Sequence, residues 1–298
     1  MVAQLRVDVP SVMRELDVAL GILAEAKIVS RYRKIFKGKG LEFEDFREYT
    51  TSDDASKIDW KASMRANKLL MREFREERDL DVYFLVDVSA GMFFGSTKKL
   101  KHEYAAELVT ALMHFVLQSG DKIGLVLFNE KVVKFIEPGK GTNHFYITLK
   151  GLLNPEFYGG GHDIQTVLEF LLKIIKKESL AFMVSDFLGL REGWESSMKL
   201  SSGKIDGIAL MVRDPVEKRL PEGVGQVVIT DPLSHRQLLI NCNDEKERLE
   251  YETFMKKGEE EFKDAIKKCH WDIIEVDTSE SFVRPIIEFL RRREMIFR

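Results

Sequence analysis

The stretch Asp81-Val-Tyr-Phe-Leu-Val-Asp87-Val-Ser89-Ala-Gly91 sets the architecture of this chain. Residues 82 to 86 are apolar at every position, so neither face of the strand they form is suited to water. Unbroken runs of this kind mark parallel strands covered by helices on both sides, whereas a half-exposed strand alternates. The run ends on the carboxylate of Asp87, and the hydroxyl of Ser89 follows two residues later. In open α/β sheets the ligand crevice lies just beyond the carboxyl ends of the strands. Asp87 and Ser89 therefore stand where such a fold does its chemistry.

Strand and helix patterns alternate from here to the end of the chain. Leu100, Tyr104, Leu108, Leu112 and Phe115 repeat at helical spacing. Lys122–Phe128 is a second apolar strand, entered through Gly120-Asp121, and residues 131 to 136 fold back on it as a hairpin. A helix over 144–153 comes next. After Gly159-Gly-Gly161 an amphipathic helix carries Ile164, Val167, Leu168, Leu171 and Ile175. Ser179–Ser185 and residues 206–212 read as further buried strands, and 226–230 with 236–240 as a hairpin around Asp231-Pro-Leu-Ser-His235. A charged helix over 244–268, a last strand over 272–276 and a helix over 282–293 complete the pattern. Parallel strands separated by helices define an α/β fold: a doubly wound, mostly parallel sheet flanked by helices, with right-handed crossovers.

Residues 1–80 read differently. Ser11 N-caps a helix striped by Met13, Leu16, Leu20 and Leu23, and a basic segment over 31–39 ends at Gly38 and Gly40. Strands over 41–49 and 69–74 then flank a helical stretch over 53–66. The expected organisation is an N-terminal helix and β extension over 1–80, followed by an α/β domain over 81–298.

Composition narrows the function. The chain has 298 residues, 44% of them apolar, enough for a substantial core. Lys+Arg 46 against Asp+Glu 49 leaves a net charge of −3, which offers no overall attraction to nucleic acid or anionic lipid. Cys242 and Cys269 are far apart and lack metal-ligand spacing; buried thiols in a reducing, cytoplasmic setting are expected. The first ten residues mix charged and apolar types unlike a signal peptide, and the early apolar run at 18–24 falls far short of the roughly 20 residues that span a bilayer.

Three loops are expected to meet at one rim of the sheet: Asp87-Val-Ser89-Ala-Gly91, Gly159-Gly-Gly161-His162-Asp163 and Ser185-Asp186-Phe187. Carboxylate and hydroxyl oxygens gathered there suit a hard divalent cation such as Mg²⁺, which keeps several waters and leaves a position for a partner's carboxylate. The alternative is loop capping, in which Asp87 and Ser89 bond to nearby backbone. The glycine run serves either as an anion cradle before a helix or as a turn.

From residue 81 the order of elements resembles a von Willebrand factor A-type domain, and Asp87-x-Ser89 resembles the opening of its metal-ion-dependent adhesion motif. Upstream, Arg47-Glu-Tyr49, Ser52-Asp53-Asp54, Lys57-Ile58-Asp59-Trp60 and Ala62-Ser63-Met64-Arg65, continued by Leu70-Met-Arg-Glu-Phe74, resemble the conserved block of the bacterial domain-of-unknown-function fifty-eight family. The adhesion motif has a second serine where this chain has Gly91 and a threonine where it has His162, whereas Asp186 matches the distal aspartate. The resemblance thus implies a degenerate metal site of Asp87, Ser89 and Asp186, with His162 as a further candidate. It holds Mg²⁺, a softer divalent ion suited to imidazole, or no ion. Gly91, Gly161 and Asp163 are expected to border the partner surface. Arg47, Tyr49, Asp53, Asp54, Asp59, Trp60 and Arg65 are expected to be structural. In that reading the acids cap a helical turn and pair with Arg47, Lys57 and Arg65, and Trp60 packs on the sheet. Family members carry glycine at the Ser52 position and arginine at Ser56.

Enzymatic readings fit less well. Haloacid dehalogenase-type phosphatases need an aspartate where Ser89 stands, a two-metal nuclease needs more convergent carboxylates and a basic groove, and no Gly-x-Ser-x-Gly elbow occurs. The expected function is a non-enzymatic protein-protein interaction module. By resemblance it is an adaptor working with a MoxR-type AAA+ ATPase in the assembly or maturation of other proteins. The alternative is a metal-dependent phosphoester hydrolase using Asp87, Asp163 and Asp186. Residues 291–298, basic and apolar, offer a second contact or a solvated helix end with a packed Phe297.

Overall fold

The computed structural model describes residues 42–50, 53–75, 79–175, 178–230 and 237–296. The helix and basic segment expected over 11–39, Ser52, the turn at 231–235 and Phe297 lie outside the described residues.

Strand β1 (Glu42–Glu48) pairs antiparallel with β2 (Leu70–Arg75), and between them lie a 3₁₀ turn at Ala55–Lys57 and helix α1 (Trp60–Ala66). Sheet and helix then alternate: β3 (Asp81–Asp87), α2 (Lys101–Gln118), β4 (Lys122–Phe128), β5 (Val132–Gly139), α3 (Gly141–Leu152), α4 (Ile164–Ile174) and β6 (Ser179–Ser185). The chain continues through α5 (Trp194–Ser201), β7 (Ile205–Arg213), α6 (Pro215–Lys218), the β8 (Gln226–Thr230) and β9 (Gln237–Asn241) hairpin, α7 (Glu245–Lys268), β10 (Asp272–Asp277) and α8 (Val283–Ile296).

Six strands form the central sheet in the order β10-β7-β6-β3-β4-β5, parallel except for β5, which pairs antiparallel with β4. That edge position accommodates Pro138, whose missing N–H would interrupt an interior strand. From β3 the chain first builds toward β4 and β5, then crosses back to β6, β7 and β10 on the other side. The switch point therefore falls between the carboxyl ends of β3 and β6, where doubly wound sheets hold their ligands.

The unbroken apolar run of β3 has a direct explanation. Val82, Phe84 and Val86 face one core with Leu108 and Leu112 of α2, Leu149 of α3 and Leu290 of α8. Tyr83 and Leu85 face the other, with Val167 and Leu171 of α4, Met198 of α5 and Ile266 of α7. Successive side chains alternate between faces, so a strand sandwiched between helix layers must be apolar at every position. The fold is the α/β sheet expected from the sequence.

Gly207 of β7 gives the tightest fit in the sheet. A Cβ at this position would fall within the indole ring of Trp271, whose Nε1 donates to Ser201 Oγ at 3.1 Å. Gly207→Ala is expected to displace the ring and lose about 1–3 kcal/mol, a typical cost of overpacking a core. A urea midpoint equal to that of the native chain would show that the ring moves aside freely.

The extension corrects two expectations. The helical stretch at 53–66 is broken at Ile58, which ends the 3₁₀ turn, and at Asp59, which caps α1 by accepting from the amides of Lys61 and Ala62, both at 3.0 Å. Trp60 does not pack on the sheet: it begins α1 and is 64% exposed. The residue binding α1 to the ribbon is Ser63, whose Oγ donates to Asp59 O and accepts from Leu70 N.

Candidate functional site

The ends of β3 and β6 bring Asp87, Ser89, Ser185 and Asp186 together, all buried. Asp87 Oδ1 accepts from the Ser89 amide at 2.8 Å, closing the first loop on itself. Asp87 Oδ2 accepts from Ser185 Oγ at 2.6 Å, and His162 Nε2 lies 3.2 Å from the same oxygen and 3.4 Å from Ser185 Oγ. Ser185 Oγ in turn accepts from the Phe187 amide at 3.0 Å. The second loop is bonded to the first by Gly159 N to Val88 O and by Ala90 N to Gly160 O, at 2.7 and 3.0 Å. All three loops thus form one connected rim.

Asp186 faces a residue the sequence reading overlooked. Its Oδ1 accepts from the Leu188 amide at 2.9 Å, and its Oδ2 accepts from Lys101 Nζ at 2.5 Å. Lys101, in the first turn of α2, is 1% exposed and also donates to Glu217 Oε1. The other oxygen of Glu217 accepts from Asp214 N at 3.0 Å, as the return half of a capping box at α6. One carboxylate thereby closes a helix end and anchors the buried ammonium.

Electrostatics follow from burial and pairing. Burial pushes the Asp87 carboxyl up; His162 pulls against this, and the nearby Asp186 adds to the rise. For Asp186 burial also acts upward, yet the charge and hydrogen bond of Lys101 outweigh it and hold this carboxyl below its ordinary value. Burial pushes Glu217 up. Lys101 ends above the usual lysine value, because Asp186 and Glu217 together overcome its own desolvation.

The remaining candidates have local tasks. Gly91 lies beside Asp186: a Cβ there would stand 3.3 Å from Oδ2. Asp163 does not join Asp87 and Asp186 in a shared contact; it caps α4 through the Gln165 amide at 2.9 Å and pairs with Arg191 at 3.2 Å. The Gly161 amide donates to the Glu130 carboxylate, so the glycine run receives an anion from its own chain. Gly159 and Gly160 have φ of +120° and +85°, the turn conformation that glycine accepts without strain.

In the extension, Asp53 accepts both guanidinium nitrogens of Arg47, at 2.6 and 2.7 Å, and is held well below the carboxylate range by that bond first. Asp54 caps the 3₁₀ turn at Ser56 N, and the Tyr49 amide donates to Leu69 O. Arg65 is exposed and makes no ion pair with these acids among the described residues; the Lys57 side chain lies outside them. Both cysteines are buried and free. At the chain's end Arg293 is drawn into pairs with Asp206 and Asp272, at 2.6 and 2.5 Å, and does not form an open basic surface.

A divalent ion was one expectation for this rim, and the donor set fits it poorly. Gly91 supplies no ligand atom, His162 approaches Asp87, and Lys101 approaches Asp186. Among the described residues no group of three or more His, Cys, Asp or Glu side chains is arranged to hold a metal.

The strand order, the antiparallel edge strand and the loop cluster at the switch point define a von Willebrand factor A-like domain. The chain belongs to the family described as Protein of unknown function DUF58, whose model matches residues 45–261. It is 25% identical over 199 residues to the uncharacterized protein Mb1516 of Mycobacterium bovis, covering 66% of this chain and 62% of that protein's length. In fold it is similar to an aerotolerance-related membrane protein from Bacteroides fragilis, at TM-score 0.50 and 17% identity, over 72% of this chain and 99% of the other. It is also similar to the SpRpn10 VWA domain, at TM-score 0.39 and 9% identity, over 71% and 95% of the two chains. Among the described residues no helix is long and apolar enough to cross a membrane.

Proposed function

We propose that this chain is a protein-protein interaction module, an adaptor for a MoxR-type AAA+ ATPase acting in the cytoplasm on the assembly or maturation of other proteins. The observation that carries this reading is the rim itself. Three loops from separate parts of the chain are bonded into one surface at the switch point, and their polar groups are spent on holding each other. A surface of fixed shape suits recognition of a partner, since little ordering cost is left to meet on binding. Around this buried network the rim presents Phe94, 43% exposed, and the Leu188-Gly189 turn. The hydrolase reading loses support from Asp163, whose carboxylate is committed to α4 and Arg191.

Capture of a MoxR-type ATPase by the immobilised chain tests the proposal. Phe94→Asp is expected to reduce capture at least tenfold with little change in Tm, while Leu200→Asp, at an exposed position of α5, leaves capture at the native level. Equal capture by the native chain and Phe94→Asp would remove this rim from the interface.

A further inference from the structure

We infer that the cation position of this rim is filled by the chain's own Lys101, so that the site operates without a divalent ion. Both carboxylates that a metal would need already have an internal nitrogen partner: His162 Nε2 stands 3.2 Å from Asp87, and the Lys101 ammonium 2.5 Å from Asp186. Gly91 makes room for this arrangement. A side chain there would begin 3.3 Å from the same Asp186 oxygen that receives the ammonium.

Placement of the lysine is costly unless it serves such a purpose. Lys101 is the first residue of α2, at the helix end where exposed amides disfavour a cation, and it is almost wholly buried. Two carboxylates from different segments, Asp186 after β6 and Glu217 in α6, converge on it. Mg²⁺ needs oxygen ligands at about 2.0–2.1 Å and tolerates few distortions. It would have to displace the ammonium from Asp186 and then face that positive charge across a buried space. Lys101 thus supplies one tethered positive charge where a metal would supply two. Resting on the interaction reading, the consequence is that no ion bridges a partner's carboxylate to this rim.

Metal uptake by the purified chain and by Lys101→Ala tests the inference. The native chain is expected to leave millimolar Mn²⁺ unbound by electron paramagnetic resonance and to show no change in Tm with Mg²⁺. Lys101→Ala is expected to lose about 10 °C in Tm, and to regain several degrees with Mg²⁺ or Mn²⁺ but not with NaCl of equal ionic strength. Should the single variant fail to fold, Lys101→Ala with Glu217→Gln keeps the net charge of the cluster and carries the same expectation. Stoichiometric Mn²⁺ uptake by the native chain that Asp87→Asn abolishes would overturn the inference. So would a folded Lys101 variant whose Tm ignores divalent ions, since the lysine would then be a structural pair and no stand-in. ATPase capture in nucleotide-free buffer that EDTA abolishes and Mg²⁺ restores would also overturn it. Absence of capture in either buffer counts against the interaction reading alone, and Mn²⁺ uptake still judges the inference.

Discussion

Lys101→Met is expected to lower the unfolding free energy by about 3–5 kcal/mol at neutral pH, the range for removing one partner from a buried ion pair. Methionine keeps the side chain as far as the Cε position and most of its packing, so the loss chiefly reports the ammonium. Without it, Asp186 and Glu217 face each other in a buried setting with no positive charge between them. Adding Glu217→Gln to this variant removes one of the two negative charges and is expected to recover part of the loss, with a coupling above about 1 kcal/mol in a double-mutant cycle. Acidification works in the same direction. The Asp186 carboxyl is depressed in the native chain, so the stability it contributes is present above the ordinary carboxylate value and is lost as pH falls through its lowered folded value. In the variant that contribution is already gone, and the difference between the two proteins shrinks through and below about pH 4. Urea titrations across pH measure all three effects. A native-like midpoint for Lys101→Met would show that the pair contributes nothing to stability.

Asp214→Ala is expected to cost about 3 kcal/mol, because its fully buried carboxylate serves three segments at once. It accepts from Ser96 N at 2.7 Å, from Ser96 Oγ, from Val216 N at 3.0 Å and from Thr278 Oγ1 at 3.2 Å. These bonds tie the loop before α2, the α6 cap and the end of β10 to one another. Truncation removes the acceptor from the Ser96, Val216 and Thr278 donors, of which Thr278 is buried, and the loss of the cap frees the Glu217 side of the Lys101 cluster. Asp214→Asn keeps an acceptor oxygen and is expected to lose roughly half as much. Hydrogen exchange at the Ser96 amide should quicken in the alanine variant; unchanged exchange and stability would mean that these bonds are replaced by water without penalty.

The sheet was legible because its strands obey a simple rule of burial. Val82 to Val86 and Leu180 to Val184 are covered on both faces, and runs of this shortness, rich in valine and aromatic residues, favour a buried strand over a buried helix. Asp87, Ser89, His162 and Asp186 could be placed at one rim because each follows a readable strand or turn. Lys101 could not be found by composition, since a lysine among Lys98, Lys99 and Lys101 at a helix start reads as solvated. A faint signal did exist: Lys101 lies three and seven residues before Tyr104 and Leu108, on the buried stripe of α2. Glu217 went unread as well: it is the fourth residue of Asp214-Pro-Val-Glu217, a capping-box spacing, but the partner of its second oxygen is distant in sequence. Trp60 misled for the opposite reason. Large aromatics are usually covered, and nothing local marks the face of a two-turn helix that stays open.

The carboxylate of Glu130 on the Gly161 amide has a consequence for energy flow. A phosphoryl group brought to that turn would meet like charge, so this helix entry repels the triphosphate tail of a nucleotide. On the proposed adaptor reading, nucleotide would be bound and hydrolysed on the motor's side of the contact and not at this turn.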